Sequence, residues 1–462
     1  MPPSVAKHSL LAVLFLLNGC AAVRSYDAEL YRTLDQAASG NVDGAIRLLQ
    51  SNNPLPDKDL LFYLELGMLQ RLGGRYPDSQ KAWVAAEARM QPPSGGLLDL
   101  GGFMRGVSSY VINDRMRAYP GYDYEKVMLL TYMALNHLAM DDYESARVAI
   151  KQTHEFEVQI AEQRARQYAE VEESAKQRGA RTSFKDLNGY PVETIDNLEV
   201  NALRNSYQSA LSHYLAGFVY EALGEPSLAA PGYRLANELQ PGQRLLEEAL
   251  LGLDQRVSAP DDGMTDLLVI VGTGSAPALQ SRQFMLPINV ENKLLLIAQS
   301  FPVMPGSGVS GAPSHVMLNG ISLPLAQITS VDLMARRRLK DDMPGIMLRA
   351  TIRSTARAVM QYQAQRAAQR EQSLAMAIAA GVLTVGSAVL EAADDRTWRA
   401  LPAEVSVARG RVQRGVHTVT VNTPDGQREA RVSVSGRYAV VDLRLLRHQL
   451  FVNEPSTSGR SK

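Results

Sequence analysis

Along the first half of the chain, apolar residues recur three and four positions apart, while in the second they gather into short runs and alternations. The first pattern predicts paired helices over residues 27–257. Composition changes at Ser258-Ala259-Pro260-Asp261-Asp262-Gly263, a stretch that reads as a boundary with few contacts across it. Residues 264–450 then predict a mixed domain. Strands are expected at Leu267–Val271, Phe284–Val290, Leu294–Ala298, His315–Leu318 and Ile328–Leu333, with a long helix over 346–393. Thr423-Pro424-Asp425-Gly426 between Val416–Val421 and Ala430–Val434 predicts a hairpin, and Tyr438–Leu443 a third strand after it. Residues 451–462 are expected to be a disordered tail. The fold class is α+β: an all-α array followed by a long helix and antiparallel strands.

Within the helical half one arrangement repeats. His213-x2-Ala216-Gly217-x2-Tyr220 is followed by Gly224, Ala229-x3-Tyr233, Ala236 and Pro241. Tyr63-x2-Leu66-Gly67, Gly74, Tyr76, Ser79-x3-Trp83 and Ala86 form a second copy, and Leu130-x2-Met133-Ala134, Tyr143 and Ala146-x3-Ile150 a third. Gly40 and Ala45-x3-Leu49 suggest a degenerate fourth. Ala45 and Ser79 stand 34 positions apart, while the steps of 67 and 83 to Ala146 and Ala229 point to insertions. The set resembles tetratricopeptide repeats. On that reading Gly67, Gly217, Ala146 and Ala229 are small where two helices cross. Gly74 and Gly224 make the turns, and Trp83, Tyr220 and Tyr233 fill the crossing. The resemblance implies a concave surface that binds protein segments. Lys151 to Arg178, with opposite charges three or four apart, reads as a solvated helix.

The N-terminus changes the setting. Lys7 and His8 precede the uncharged run Ser9–Leu17, too short for a membrane anchor, and Leu17-Asn18-Gly19-Cys20 resembles the lipobox of bacterial lipoproteins. The resemblance implies removal of residues 1–19, acylation of Cys20, and a tether over 20–26. With Ala21 rather than Asp after the cysteine, it implies the outer membrane, facing the periplasm. Cys20 is the sole cysteine, so no internal disulfide is available. Removing residues 1–19 leaves 47 basic against 48 acidic side chains, a balance that argues against a nucleic-acid partner. Ser373–Leu390 is uncharged for eighteen residues, but its many Ala, Gly and Thr favour a buried or interface helix over a membrane span.

Candidate chemistry is thin, and no catalytic residue, cofactor or metal site is expected. Gly272-Thr273-Gly274 lacks the third glycine of a dinucleotide turn, and Gly306–Gly311 never spells a nucleophile elbow. The histidines are scattered; His137 and His213 read as packed within repeat helices. Arg336-Arg337-Arg338-Leu339-Lys340, with Asp341 and Asp342 after it, reads as a solvated turn. Ala393-Asp394-Asp395-Arg396-Thr397-Trp398 with Leu401-Pro402, and Tyr122-x-Tyr124-Glu125-Lys126-Val127, resemble motifs of uncharacterised repeat-containing bacterial lipoproteins. Asp395 and Arg396 read as a structural ion pair beside a buried Trp398. The expectation is a non-enzymatic, membrane-anchored scaffold for envelope proteins. Its alternatives are an accessory subunit of an export, assembly or peptidoglycan-synthesis system, or a hydrolase using Asp394 and Asp395. Cys20→Ser should release the protein from membranes and abolish lipid labelling; a mutant still acylated and sedimenting with membranes would overturn the lipoprotein reading.

Overall fold

A computed structural model describes residues 26–90, 118–290, 293–306, 312–371, 393–423 and 426–454. Cys20, the tether before Tyr26, residues 307–311, Ser373–Leu390 and residues 455–462 lie outside them. Among the described residues the helical half contains α1 (Tyr26–Ala38), α2 (Val42–Asn52), α3 (Leu60–Leu72), α4 (Tyr76–Glu87), α5 (Asp123–Ala139) and α6 (Tyr143–Arg178). Then come α7 (Leu198–Ala202), α8 (Ala210–Ala222), α9 (Pro226–Leu239), α10 (Arg244–Leu250) and α11 (Leu253–Ser258). Pairs α1/α2, α3/α4, α5/α6 and α8/α9 are the four hairpins foreseen, including the degenerate first copy.

Their crossings follow from side-chain size. A Cβ on Gly67 would lie 2.2 Å from the Trp83 ring nitrogen, and one on Gly217 2.5 Å from Tyr233 Cδ1. Ala229 is buried in the same crossing as Gly217 and Ala146 in that of α5 and α6, whereas Tyr220 is only partly covered. Ser79 takes the alanine position because its hydroxyl donates to Gly67 O at 2.7 Å, satisfying a polar group in the crossing. Gly232, which the repeat pattern left out, makes the closest backbone approach: its Cβ would meet His213 O at 2.7 Å. The turns need left-handed backbone, supplied by Gly40, Gly74 and Gly224; in the third hairpin Asp141 adopts φ 60° without glycine's freedom.

The second half contains β1 (Met264–Thr273), β2 (Gln280–Val290), β3 (Lys293–Val303), β4 (His315–Leu318), β5 (Ile321–Pro324) and β6 (Ala326–Ser330). They are followed by α12 (Val331–Glu371), β7 (Glu404–Gln413), β8 (Gly415–Thr423), β9 (Gly426–Val434), β10 (Tyr438–Leu446) and β11 (Gln449–Asn453). A central sheet runs β11-β10-β1-β7-β6, a second sheet β5-β4-β8-β9, and β2-β3 form a two-stranded ribbon. Leu267, Val269 and Val271 face the second sheet, while Leu268 and Ile270 face the helices. The uninterrupted apolar run of β1 is thus covered on both sides.

Several expectations are corrected. The strand expected at Tyr438–Leu443 forms as β10, but it pairs parallel to β1, with Leu268 opposite Val440, where antiparallel strands were expected. The strand expected at Ile328–Leu333 stops at Ser330, and the long helix begins at Val331 rather than 346. The expected tail loses residues 451–453 to β11. The basic run 336–340 is helical, with Arg336 and Arg338 buried against Asp332 and Asp342 one turn away. Nor is α6 simply solvated, since Arg164 bonds Asp123 on α5 at 2.7 Å and also pairs with Asp342 on α12. Most consequentially, Pro260–Gly263 does not separate independent halves. One apolar core runs from Leu30 through Trp83, Leu215 and Ile270 to Phe451. No helix among the described residues is long and apolar enough to cross a membrane.

Gly217→Leu should destabilise the fold by about 3 kcal/mol through overpacking against Tyr233. Asp141→Gly should stabilise it by about 1 kcal/mol by removing backbone strain. Thermal melts of both variants check the pair, and an unmoved midpoint in the first would exclude the packed crossing.

Candidate functional site

In each hairpin the first helix lies inside, and the inner row of α3, α5 and α8 meets the C-terminal half: α3 touches β11, α5 touches β10 and α12, α8 touches β6. Every residue of α5 except His137 is buried, because α6 covers one side and the C-terminal half the other. The face expected to hold a foreign segment therefore holds the chain's own.

The contacts are polar as well as apolar. Glu65 on α3 is buried and accepts the Arg399 and Ala400 amides at 2.7 and 3.1 Å, with the Tyr26 hydroxyl at 3.2 Å. Glu125 on α5 accepts the Trp398 amide at 2.7 Å and the Tyr119 hydroxyl at 2.5 Å. The Tyr122 hydroxyl donates to Arg396 O, and Trp398 stacks edge-on against Trp83 at 6.1 Å. Tyr122–Val127 and Ala393–Pro402, resembling motifs far apart in sequence, are thus two sides of one contact. Within it the ion pair differs from the expected one. Arg396 pairs with Asp394 at 2.8 Å, and Asp395 receives the Tyr26 amide at 3.1 Å.

Two further links cross the seam. Arg71 on α3 donates to Asp442 on β10 at 2.8 Å and to Asn136 on α5, both ends buried. Glu221 on α8 accepts Tyr233 Oη at 2.6 Å, Arg256 Nε at 2.7 Å and Arg409 Nη2 at 2.6 Å; Arg409 also grips Asp266 at 2.7 Å. Burial alone would raise the Glu221 carboxyl, but the two guanidiniums hold it below the ordinary carboxylate range. Burial dominates at Glu65, whose pKa it pushes up to about 8 against the pull of three hydrogen bonds. Lone glutamates in otherwise apolar helices were the available signal for these residues, and the repeat pattern gave them no position.

Beside this network a cleft of about 770 Å³ opens between the last helices of the array and the sheets, with Tyr214, Leu245, Ala249, Leu325, Arg409 and Gly410 among its walls. Elsewhere, His213 is buried, with Nδ1 3.1 Å from His154 Nε2 and Nε2 3.0 Å from Glu157. His137 sits half-covered beside Gln80. Among the described residues no three His, Cys, Asp or Glu converge as a metal site. Gly272 and Thr273 end β1, where Pro402 and Arg444 crowd Gly272.

Neither a protein-family model nor a curated protein sequence matches the chain. Among solved structures it is similar to a tetratricopeptide repeat protein from Parabacteroides merdae ATCC 43184, at 14% identity over 50% of this chain and 98% of that one, with a TM-score of 0.14. A likeness of that size carries no weight, and the repeat assignment stands on the hairpin crossings themselves.

Two substitutions test the seam. Arg409→Ala leaves Glu221 and Asp266 short of a buried partner and should cost about 3–5 kcal/mol. The folded chain keeps a proton on Glu65 that the unfolded chain gives up, so stability contributed below pH 4.5 is lost as pH rises towards about 8. Glu65→Gln should flatten the fall of Tm across that window; an unaltered slope would show that Glu65 does not titrate there.

Proposed function

We propose that the protein is a lipid-anchored interaction scaffold of the bacterial cell envelope, held by Cys20 on the outer membrane and facing the periplasm. The observation that carries the reading is the repeat array welded onto a β-domain, which presents a fixed outer surface rather than an empty groove. The lipobox supplies the anchor. With the inner row occupied, the partner surface moves outward to the α10 side of the cleft, where Gln243, Arg244, Leu245 and Glu248 meet Pro324 and Leu325. Walls that mix Leu245, Ala249, Pro324 and Leu325 with Arg244, Glu248, Asp266 and Arg411 suit a protein segment bearing both apolar and charged side chains. Asp394 and Asp395, the carboxylates of the hydrolase alternative, are engaged with Arg396 and Tyr26.

A photo-crosslinking amino acid placed at Leu245 or Leu325 in the full-length protein, in intact cells, should capture a discrete envelope protein. One at Val84 on α4, exposed but outside the cleft, should not. Equal, diffuse crosslinking at all three positions would remove the cleft from the proposal.

A further inference from the structure

The β2–β3 ribbon leaves apolar side chains exposed on both of its strands. Its register runs unbroken from Gln280 opposite Val303 to Val290 opposite Lys293, and no third strand joins it among the described residues. One face is covered: Leu286, Gln299 and Phe301 are buried, Phe284 lies 5.9 Å from Phe301, and α12 packs on the ribbon. The other face should then alternate to polar residues, as a half-buried strand does. It does so at the base, with exposed Ser281 and Gln283, but beyond them it carries Met285, 58% exposed, and Leu296, 62% exposed, with exposed Pro287 opposite Leu296. An apolar face left open on a projecting ribbon calls for an occupant.

Two observations select one. Pro287 offers no amide to the free edge of β2, which works against a further strand joining there and leaves the face as the contact surface. The ribbon's base also lies beside the N-terminus. Ser281 accepts the Ala393 amide at 2.8 Å, and Asp395, two residues on, accepts the Tyr26 amide at 3.1 Å. Tyr26 follows Cys20 by six residues, a tether of at most about 20 Å. Met285 is four residues up β2 from Ser281, about 13 Å.

We infer that the free face of the ribbon, through Met285, Pro287 and Leu296, rests on the lipid bilayer that holds the acyl chains of Cys20. The inference rests on the proposed anchor. Contact is shallow, at the boundary of headgroups and acyl chains, because the unpaired backbone edges of the ribbon must stay hydrated. A second contact beside the tether fixes the orientation of the body, which an acyl anchor alone leaves free to tumble.

Acylation consumes the thiol of Cys20, so a cysteine introduced elsewhere is the sole labelling site on the mature protein. Full-length acylated protein bearing Met285→Cys or Leu296→Cys is labelled with an environment-sensitive dye and reconstituted into phosphatidylethanolamine–phosphatidylglycerol vesicles. At both positions emission should shift to the blue and be quenched by spin-labelled lipids. At Ile321→Cys, 68% exposed on β5, it should remain aqueous. In unacylated Cys20→Ser protein, Met285→Glu with Leu296→Glu should weaken residual vesicle binding about tenfold. Aqueous emission at 285 and 296 in protein that stays on the vesicles overturns the inference and leaves the anchor standing. Protein that floats free, with Cys20 open to the dye, overturns the anchor and the inference with it.

Discussion

Glu65, Glu125 and Glu221 sit on the inner helices of three successive hairpins, each buried, and each draws donors from the C-terminal half. A carboxylate in that position is tolerable only when its hydrogen bonds are made, since an unsatisfied buried acceptor costs about 1–3 kcal/mol and a charged one more. Remove the strands and the loop 395–400, and the array keeps its crossings, but those donors give way to water and the apolar inner face around Trp83 and Leu215 is bared. The helical half therefore shares its core and its buried acids with the strands, although its sequence reads as a freestanding solenoid. Its stability is borrowed across the seam, with Trp83 against Trp398 and Arg71 against Asp442 as the apolar and ionic counterparts.

This changes what the repeats are for. In an open solenoid each unit touches only its neighbours, and the inner surface stays free for a ligand. Here the inner surface is a structural interface, and the array acts as one layer over a central sheet that a second sheet covers from behind. Whatever such a body recognises must meet its outside.

How much of this could be read from residues alone depended on the range of the contacts. The hairpins were legible because glycine and aromatic stand within one short span, as Gly67 does with Trp83 and Gly217 with Tyr233. β1 was legible because burial on both faces leaves an unbroken apolar run. The parallel neighbour of β1 lies some 170 residues away, and nothing local to Tyr438–Leu446 distinguishes it from a third hairpin strand. Arg336 and Arg338 looked solvated because a basic run beside two aspartates looks the same folded as a turn or as a helix. Only the turn of α12 brings Arg338 onto Asp342 and under Tyr122. The cleft was not legible at all, since its walls come from several separated stretches.

The parallel pairing of β1 with β10 also bears on the order in which such a chain can fold. Here the middle strand of the sheet waits for residues 438–446, almost the last to emerge, and the inner helices wait for the loop before β7. The apolar core that spans both halves therefore closes only when those late stretches are in place. Closure of the sheet is thus tied to the most distant pairing in the molecule, not to the local hairpins.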